Sequence, residues 1–313
     1  AQGDNPALAR PIAEKLAQPA VNIRRRMPGL QACYERTLKT KPKLAGKIRF
    51  TIVINPEGRV TRVDVEMTAN TRGTQKAPDA PEGLRDVKNI IAVASGKGGV
   101  GKSTVTANLA VALAARGLAV GVIDADVHGY SIPALLGSTA KPTKVGDMMM
   151  PPEAHGVRLV SIGMFVDGNR SVSWRGPMLH RTLQQFLTDV WWGDLDVLLI
   201  DMPPGTGDVA ISLGQLLPHA QVLVVTTPQR AAADVAERAA EVARQTGQQV
   251  LGVVENMAGL AQPDGSILEL FGAGGGDEAA RRLGVPLLAR IPLSVALREG
   301  GDAGAPVVAA EPT

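Results

Sequence analysis

A glycine-rich loop between an apolar run and a helical segment carries the residues best suited to chemistry in this chain. Gly96–Ser103 satisfies the pattern G-x-x-x-x-G-K-[ST] and follows the apolar run Ile90–Ala94. Glycines let the backbone wrap around phosphates, and the loop amides and the helix N-terminus supply positive potential. Lys102 is expected to reach the β- and γ-phosphates, and Ser103 to ligate Mg²⁺. The predicted phosphate-binding residues are Gly96, Lys97, Gly98, Gly99, Val100, Gly101, Lys102, Ser103 and Thr104.

The loop contains a second lysine that phosphate binding by such a loop does not require. Lys97 directly follows the first glycine. From there it is placed to reach phosphate oxygens of a nucleotide across a dimer, as an arginine finger does in trans. An exposed loop lysine without a role is the other interpretation.

Carboxylates follow two further apolar runs. Val120–Ile123 is followed by Asp124 and Asp126, and Val197–Ile200 is followed by Asp201. An acid in this place matches the residue that holds Mg²⁺ through water, and Asp126 is predicted to orient the attacking water. A lone acid at a strand end is as often a cap, but three acids behind one phosphate loop favour the catalytic interpretation. The candidate catalytic residues are Lys97, Lys102, Asp126 and Asp201, and the candidate magnesium ligands are Ser103 and Asp201.

These residues must be positioned by a sheet, and the chain after Asn89 has the pattern of one. Near-continuous Val, Ile and Leu runs alternate with helical segments, which predicts an α/β fold with a doubly wound, mostly parallel sheet. Ligands in such folds bind at the carboxyl ends of the strands, where the motifs fall. The predicted strands are Ile90–Ala94, Val120–Ile123, Val157–Ile162, Val197–Ile200, Val222–Thr226, Val250–Val254 and Leu287–Ile291. The predicted helices are Lys102–Arg116, Pro177–Asp189, Asp208–Leu217, Ala231–Thr246 and Asp277–Leu283.

The N-terminal part has a different character. Residues 1–70 are predicted to form a small α+β domain, residues 71–88 a linker, and residues 89–313 the phosphate-binding domain. Residues 1–88 hold 17 Lys and Arg against 9 Asp and Glu, whereas the rest of the chain holds 16 against 21. This basic excess indicates either a solvated face or a surface for nucleic acid, an anionic membrane or an acidic partner. Because no aromatic platform accompanies the charges, no clear nucleic-acid motif is predicted.

A short helix and a β-hairpin are expected in the N-terminal domain. Leu30–Lys39 has helical character. Ile48–Ile54 and Val60–Met67 alternate branched and polar residues and are separated by the turn sequence Asn55–Gly58. Alternation with a turn between the two runs is typical of paired strands.

Composition limits the remaining possibilities. The chain has 313 residues, which favours two domains, and its 45 % hydrophobic and 20 % charged residues are typical of globular proteins. No stretch approaches 18 consecutive apolar residues, so no transmembrane helix is expected. The single cysteine, Cys33, excludes a disulfide framework within one chain. A cytoplasmic protein is the simplest expectation.

The motifs together resemble a known family. Gly96–Ser103, with its extra Lys97, resembles the deviant Walker A loop of the MinD/ParA class of dimerising ATPases. Within that class the chain is similar to the Mrp/NBP35 family of iron–sulfur cluster carriers, over about residues 60–312. Further matching stretches are Asp124–Pro133, Trp174–Phe186, Trp192–Gly207, Val224–Gln229, Gly252–Met257, Phe271–Gly276 and Ile291–Asp302.

The resemblance implies a set of roles. It implies ATP binding and hydrolysis at the loop, with Lys97 acting across a homodimer. It implies a first switch segment at Asp124–Asp126, a second at Asp201–Asp208, and adenine contact at Asn256. It also implies a [4Fe–4S] cluster that is carried and transferred to apoproteins.

The chain departs from the family at the cluster site. Many family members carry a Cys-x-x-Cys pair after a Glu-Asn-Met triplet, but here Glu255–Met257 is followed by Ala258–Ser266, which contains no cysteine. A cluster takes about four ligands, usually thiolates, and Cys33 is expected to be a buried structural thiol. The alternative function is therefore a nucleotide-switched dimeric interaction protein of the MinD/ParA type without a cluster. A kinase-like transfer to a small molecule lacks any acceptor-site motif.

The N-terminal domain departs from the family as well. Ala32–Arg36, Leu44–Lys47 and Ile54–Val60 resemble part of a TonB-type C-terminal domain. The Asp-Pro-Glu and Cys-Pro motifs that the family's own N-terminal domain normally carries are not found. The resemblance therefore leaves the role of this domain open.

Overall fold

The computed structural model describes residues 46–54, 60–69, 82–165, 176–262, 264 and 266–310. The chain divides into two units, Ala1–Arg72 and Gly73–Thr313. Several sequence expectations lie outside the described residues: the helix Leu30–Lys39, the turn Asn55–Gly58, the linker residues 71–81 and the environment of Cys33.

The described part of the first unit is a β-hairpin. Strand β1 (Gly46–Ile54) pairs antiparallel with strand β2 (Val60–Ala69), and the register shifts between Val53 and Ile54. The predicted hairpin is confirmed. Each strand extends two residues beyond its predicted end, away from the turn, because pairing continues as far as Gly46 opposite Ala69.

The second unit is built on a mixed but mostly parallel sheet. Its strands are β3 (Ile90–Ala94), β4 (Val120–Asp124), β5 (Thr143–Val145), β6 (Met148–Met150), β7 (Glu153–Ala154), β8 (Val157–Ser161), β9 (Val197–Asp201), β10 (Gln221–Thr226), β11 (Gln249–Ala261), β12 (Ile267–Leu268) and β13 (Leu287–Leu293). In the described residues, nine of these form one sheet in the order β12-β11-β10-β3-β9-β4-β8-β7, with β13 paired to β11. Strands β5 and β6 form a separate hairpin.

Helices cover this sheet. They are α1 (Lys102–Ala115), α2 (Ile132–Leu135), α3 (Gly176–Thr188), α4 (Asp208–Leu216), α5 (Arg230–Gln245), α6 (Gly275–Leu283), α7 (Val295–Asp302) and α8 (Val307–Ala310). Short 3₁₀ helices span Glu82–Leu84 and Ile162–Phe165.

The two faces of the sheet are buried in separate hydrophobic clusters. Along β9, Leu198 and Ile200 belong to the cluster that includes residues of α3, α4, α5 and α6. Val197 and Leu199 belong to the cluster that includes residues of α1 and α2. Because successive side chains of a strand point to opposite faces, a strand covered on both faces must be apolar at every position. The predicted doubly wound α/β fold is confirmed.

The buried face of helix α5 consists only of small side chains. Its buried residues are all alanines, at three- and four-residue spacing: Ala232, Ala233, Ala236, Ala239, Ala240 and Ala243. This spacing forms one helix face, and the small side chains let the helix backbone approach its neighbours.

Two boundaries differ from the sequence expectation by more than two residues. Residues 82–88, predicted as linker, belong to the second unit: Leu84 and Val87 are buried in its core, and Val87 bridges Leu195. Strand β11 continues seven residues past the predicted end at Val254, to Ala261, because its last residues pair with β12. Among the described residues, no helix is both long and apolar enough to cross a membrane.

Candidate functional site

The register of the sheet aligns polar residues in one row at the carboxyl ends of three strands. Asp124 on β4 lies opposite Ser161 on β8 and opposite Asp201 on β9. Strand β3, which leads into the phosphate loop, is the other neighbour of β9. Parallel strands end at the same edge of a sheet, so this register brings both predicted strand-end acids to the edge where the loop begins.

The phosphate loop needs its glycines for steric reasons. Gly99 and Gly101 have φ of 76° and 78°, in the left-handed region. A Cβ at Gly96 would lie 1.9 Å from the carbonyl oxygen of Val235 on α5. The alanine face of α5 therefore brings backbone against the root of the loop, and only glycine fits there.

Lys102, Ser103 and Asp201 form a compact cluster under the loop. The Lys102 ammonium donates to Asp201 Oδ1 at 2.8 Å, and the Ser103 hydroxyl donates to Asp201 Oδ2 at 2.6 Å. Asp201 is fully buried and Lys102 is 6 % exposed. Thr106 Oγ1 lies 2.9 Å from both Asp201 Oδ1 and the carbonyl oxygen of Lys102. The buried carboxylate is thus compensated by a cation and hydroxyl groups, as a charge in a protein interior requires.

Asp124 is buried near this cluster, and its carboxylate binds the segment that follows β4. Its carboxylate accepts hydrogen bonds from the backbone N–H groups of Asp126, Ser131 and Ile132 and from the Ser161 hydroxyl, at 3.0 to 3.2 Å. Burial and the nearby Asp201 carboxylate raise the pKa of Asp124 to about 7, although these hydrogen bonds favour the ionised form. The segment after β4 is therefore fixed at both of its ends by one carboxylate.

Asp126, the predicted water-orienting residue, is buried but does not join the lysine cluster. In the described part of the chain, its carboxylate accepts hydrogen bonds from the backbone N–H groups of His128 and Gly129, at 3.3 and 3.0 Å. This is a local turn within the segment after β4. The structure thus brings Lys102, Ser103 and Asp201 into contact with one another, while Asp126 contacts its own loop.

Lys97 contacts its own subunit. Its ammonium donates to Gln229 Oε1 at 2.7 Å, and Gln229 directly precedes α5. Thr227 Oγ1 lies 3.3 Å from the same oxygen. Both Lys97 and Gln229 are partly buried. No motif in the sequence indicates that Gln229 is a partner of this lysine.

The segment after β9 is tied to the phosphate loop by backbone hydrogen bonds. The N–H of Met202 donates to the carbonyl oxygen of Val93, and the N–H of Gly205 donates to that of Ser95, at 3.1 and 2.9 Å. Gly205, within the predicted second switch segment Asp201–Asp208, has φ of 88°, in the left-handed region that favours glycine. A movement of this segment would therefore act directly on the root of the loop.

Asn256, the predicted adenine contact, lies beneath the loop. Its side-chain amide donates to the carbonyl oxygen of Val100 at 2.8 Å, and Asn256 is 4 % exposed. A Cβ at Gly101 would lie 2.2 Å from Asn256 Nδ2. Asn256 therefore fixes the loop backbone, a contact that the motif alone did not suggest.

Glu255 connects this position to helix α6. Its buried carboxylate accepts from the backbone N–H of Gly276, at 2.6 Å, and lies 3.4 Å from the Arg290 guanidinium. A carboxylate at a helix N-terminus is stabilised by the helix dipole. In the sequence, Glu255 stands out only as part of the triplet Glu255–Met257. The sequence feature that could have indicated its contact with a helix N-terminus is the glycine run that ends at Gly276.

The segment that carries a cysteine pair in many family members is a hairpin here. Residues 258–261 complete β11, and Leu260 and Ala261 pair with Leu268 and Ile267 of β12. Ile267 is 65 % exposed and Leu268 is 48 % exposed. Across the residues that the structure describes, no group of three or more His, Cys, Asp or Glu side chains is arranged to hold a metal ion.

Comparisons with known proteins agree with this architecture. The model of a family described as ParA, NUBPL iron-transfer P-loop NTPase, matches residues 86–313. The iron-sulfur cluster carrier protein of Mycobacterium tuberculosis is 58 % identical over 254 residues, 79 % of this chain and 67 % of that protein. The iron-sulfur cluster carrier protein of Mycobacterium leprae is 49 % identical over 325 residues, 97 % of this chain and 84 % of that protein.

Two solved structures show the same fold. A nucleotide-binding protein from Archaeoglobus fulgidus, in complex with ADP, has 40 % sequence identity and a TM-score of 0.63, over 71 % of this chain and 88 % of its own. The cell division ATPase MinD of Pyrococcus furiosus has 28 % identity and a TM-score of 0.54, over 72 % of this chain and 91 % of its own. The predicted P-loop NTPase fold and nucleotide-binding class are confirmed. The chain belongs to the NUBPL iron-transfer P-loop NTPase family.

Proposed function

We propose that this protein is a homodimeric, Mg²⁺-dependent ATPase that carries iron–sulfur clusters and passes them to apoproteins. The observation that supports the ATPase part is the buried cluster of Lys102, Ser103 and Asp201 beneath the phosphate loop. The names of its relatives support the cluster as cargo. The cytoplasm, where ATP is abundant, is the proposed location.

The proposed reaction is in-line attack of water on the γ-phosphate. The water oxygen forms a bond to phosphorus, the bond from phosphorus to the β–γ bridging oxygen breaks, and the water proton passes to phosphate. ADP and inorganic phosphate are the products. Lys102 and the partner subunit's Lys97 would stabilise the charge of the transferring group, and Asp126 would orient the water.

The donor set suits magnesium. Ser103 and Asp201 offer a hydroxyl and a carboxylate oxygen within 2.6 Å of each other, and hard oxygen donors are those that Mg²⁺ prefers. When bound with ATP, the ion would neutralise charge on the β- and γ-phosphates. The Ser103 hydroxyl oxygen has lone pairs that would bind the ion, and the Lys102 ammonium would exchange Asp201 for phosphate oxygens.

The base site is proposed at the end of β11. Asn256 Nδ2 carries two N–H groups, one of which is donated to Val100. The other N–H group and the amide oxygen match, respectively, an acceptor nitrogen and the donor amino group on the edge of adenine. Asn256 would then link base recognition to the loop that holds the phosphates.

The test of the ATPase proposal is steady-state ATP hydrolysis by the full chain. Lys102→Ala should abolish turnover and weaken ATP binding, because it removes the cation at the phosphates. Lys97→Ala should keep ATP affinity within about threefold and lower turnover at least about 100-fold, as loss of a trans cation does. Lys144→Ala, at an exposed position on β5, is the matched control and should behave as the wild type.

Retained turnover in Lys97→Ala would contradict the trans role. A turnover number that does not depend on protein concentration across the dimerisation range would contradict the homodimer. The second candidate function, a nucleotide-switched interaction protein without a cluster, is favoured by one observation: a hairpin without cysteine stands where family members carry the pair. Iron loading of the protein distinguishes the cluster carrier from the cluster-free switch.

A further inference from the structure

We propose that Gln229 is a positioning residue that holds Lys97 within its own subunit, so that the lysine must leave Gln229 before it can act on a nucleotide in a partner. This inference rests on the proposed function, since it assumes that Lys97 acts in trans. It assigns a regulatory role to a residue outside the phosphate loop. The contact that carries it is the 2.7 Å hydrogen bond from the Lys97 ammonium to Gln229 Oε1.

The backbone around Lys97 is fixed, so only its side chain is free to change partner. Gly96 is pressed against the carbonyl of Val235 on α5. The carbonyl oxygen of Lys97 accepts from Ser95 Oγ at 3.0 Å, and the carbonyl oxygen of Ser95 accepts from Gly205. A trans role therefore requires the side chain to rotate away from Gln229 while the loop stays in place.

The Gln229 side chain is not needed to build its helix. Helix α5 begins without any side-chain cap, and the backbone carbonyl of Gln229 accepts from the N–H of Ala232 at 2.8 Å. Gln229 has φ −65° and ψ 130°, a conformation that any residue adopts. Its amide oxygen, in contrast, accepts from the two donors Lys97 and Thr227. The side chain thus serves the lysine rather than the fold.

The chemistry of the acceptor suits a reversible contact. A neutral amide oxygen binds the ammonium without cancelling its charge, so phosphate oxygens, which are charged, compete effectively for the same lysine. A hydrogen bond to a charged group of this kind shifts an equilibrium by about tenfold when both partners are partly exposed. A hydrogen bond of this strength keeps Lys97 on Gln229 in the separate subunit, and bound nucleotide can still displace the lysine from it.

Two substitutions of similar length change this contact in opposite directions. Gln229→Met removes the acceptor oxygen, and Gln229→Glu keeps the acceptor and adds a negative charge. The direct measurement is acylation of Lys97 by an amine-reactive reagent in the nucleotide-free protein, followed by mass spectrometry, with exposed Lys144 as the internal reference. The Lys97 rate should rise about threefold to tenfold in the Met variant and fall by a similar factor in the Glu variant.

The functional measurement is ATP turnover at a protein concentration where the wild type is mostly monomeric. Turnover should rise in Gln229→Met and fall in Gln229→Glu, with ATP affinity unchanged. ATP-dependent dimerisation, followed by sedimentation, should shift in the same directions. In a Lys97→Ala background the Gln229 substitutions should no longer shift dimerisation, because the effect acts through the lysine.

The outcomes separate this inference from the proposed function. Equal acylation of Lys97 in all three proteins overturns the inference, whatever the turnover. Lower turnover in Gln229→Met also overturns it, since Gln229 would then be aiding Lys97 rather than holding it back. If Lys97→Ala retains turnover, the trans role fails, while acylation still shows whether Gln229 holds the lysine. Unfolding midpoints of both variants within 2 °C or so of the wild type establish that the fold is intact.

Discussion

Two neighbouring carboxylates at the same edge of the sheet have different surroundings. Asp201 is paired with the Lys102 ammonium, whereas no cation contacts the carboxylate of Asp124 in the described part of the chain. Asp124 instead has only dipolar partners, the backbone N–H groups and one hydroxyl. Dipoles stabilise a buried anion less than a full positive charge does, and Asp201 adds repulsion. This difference explains why the pKa of Asp124 rises to about 7.

The raised pKa of Asp124 makes a prediction about stability and pH. An aspartate has a pKa of about 3.9 in the unfolded chain, so between about pH 4 and 7 the folded state binds more protons at this site. The group's contribution to the free energy of unfolding therefore falls as pH rises, by up to about 1.4 kcal/mol per pH unit, and levels off once the pH has passed the folded pKa of about 7. Asp124→Asn, which cannot titrate, should remove this slope.

The measurement is urea denaturation of nucleotide-free protein at several pH values from 5 to 8. The slope of the difference between wild type and Asp124→Asn is the readout, because the altered hydrogen bonds of asparagine add an offset that does not depend on pH. Asp147→Asn, at an exposed position, is the control and should leave the slope of the wild type unchanged. A difference that stays constant from pH 5 to 7 would mean that Asp124 is ionised throughout.

At the level of the elements, the sequence predicts most of the second unit correctly. A parallel sheet covered on both faces requires uninterrupted apolar strands, and this requirement is visible in Val120–Ile123 and Val197–Ile200 without knowledge of their neighbours. Strand β12 and the end of β11 were not predicted, because glycine and proline at 259, 263 and 265 have the pattern of a loop. Residues 260–261 and 267–268 form strands because they pair with each other.

The contacts of the site also divide into those that the sequence predicts and those that it does not. The contact of Lys102 and Ser103 with Asp201 follows from motifs whose geometry is local, a loop that opens a helix and an acid that ends a strand. The roles of Ser161 and Gln229 depend on which strands and helices are neighbours, and a single sequence does not display that register. The predicted linker at 82–88 was wrong because two buried side chains, Leu84 and Val87, are enough to join a polar segment to a core.

The phosphate loop and strand β11 fit together through one glycine, and this contact is testable. Gly101→Ala adds a methyl group at φ 78° and 2.2 Å from Asn256 Nδ2. We expect a loss of about 2 to 4 kcal/mol in the free energy of unfolding, from the left-handed conformation and the displaced asparagine. ATP affinity should fall at least about tenfold, because the Val100 carbonyl loses its fixed position.

Gly117→Ala is the matched control for this variant. Gly117 follows α1 with φ of 83°, and a Cβ there has nothing within 4 Å. It should lose about 1 to 2 kcal/mol from the backbone conformation alone and keep wild-type ATP affinity. Calorimetric titration with ATP and chemical denaturation of the two variants give both quantities. Equal effects of the two substitutions would show that the contact with Asn256 is not important.

At the scale of the whole molecule, cluster binding and ATP hydrolysis require different residues of the chain. The proposed phosphate site lies within the second unit and, in the proposed mechanism, is completed by a lysine from a partner. A [4Fe–4S] cluster, in contrast, takes about four ligands, and a homodimer of this chain supplies only two thiolates, both from Cys33. Two thiolates leave half of the coordination to other ligands. Such a cluster would be held weakly, as suits a protein that must release it.

Iron loading of the full chain is therefore the decisive measurement for the carrier proposal. Anaerobic reconstitution with iron and sulfide should give about two iron atoms per chain, one [4Fe–4S] cluster per dimer, with visible absorption typical of thiolate ligation. Although the sequence pattern favours a structural thiol at Cys33, the carrier proposal uses this cysteine as a ligand, so Cys33→Ala should lose both iron and absorption. The variant should keep ATP turnover, because Cys33 lies outside the unit that carries the phosphate site. Iron near zero in both proteins would instead favour the cluster-free nucleotide switch. Iron retained in Cys33→Ala would assign the cluster to oxygen or histidine ligands.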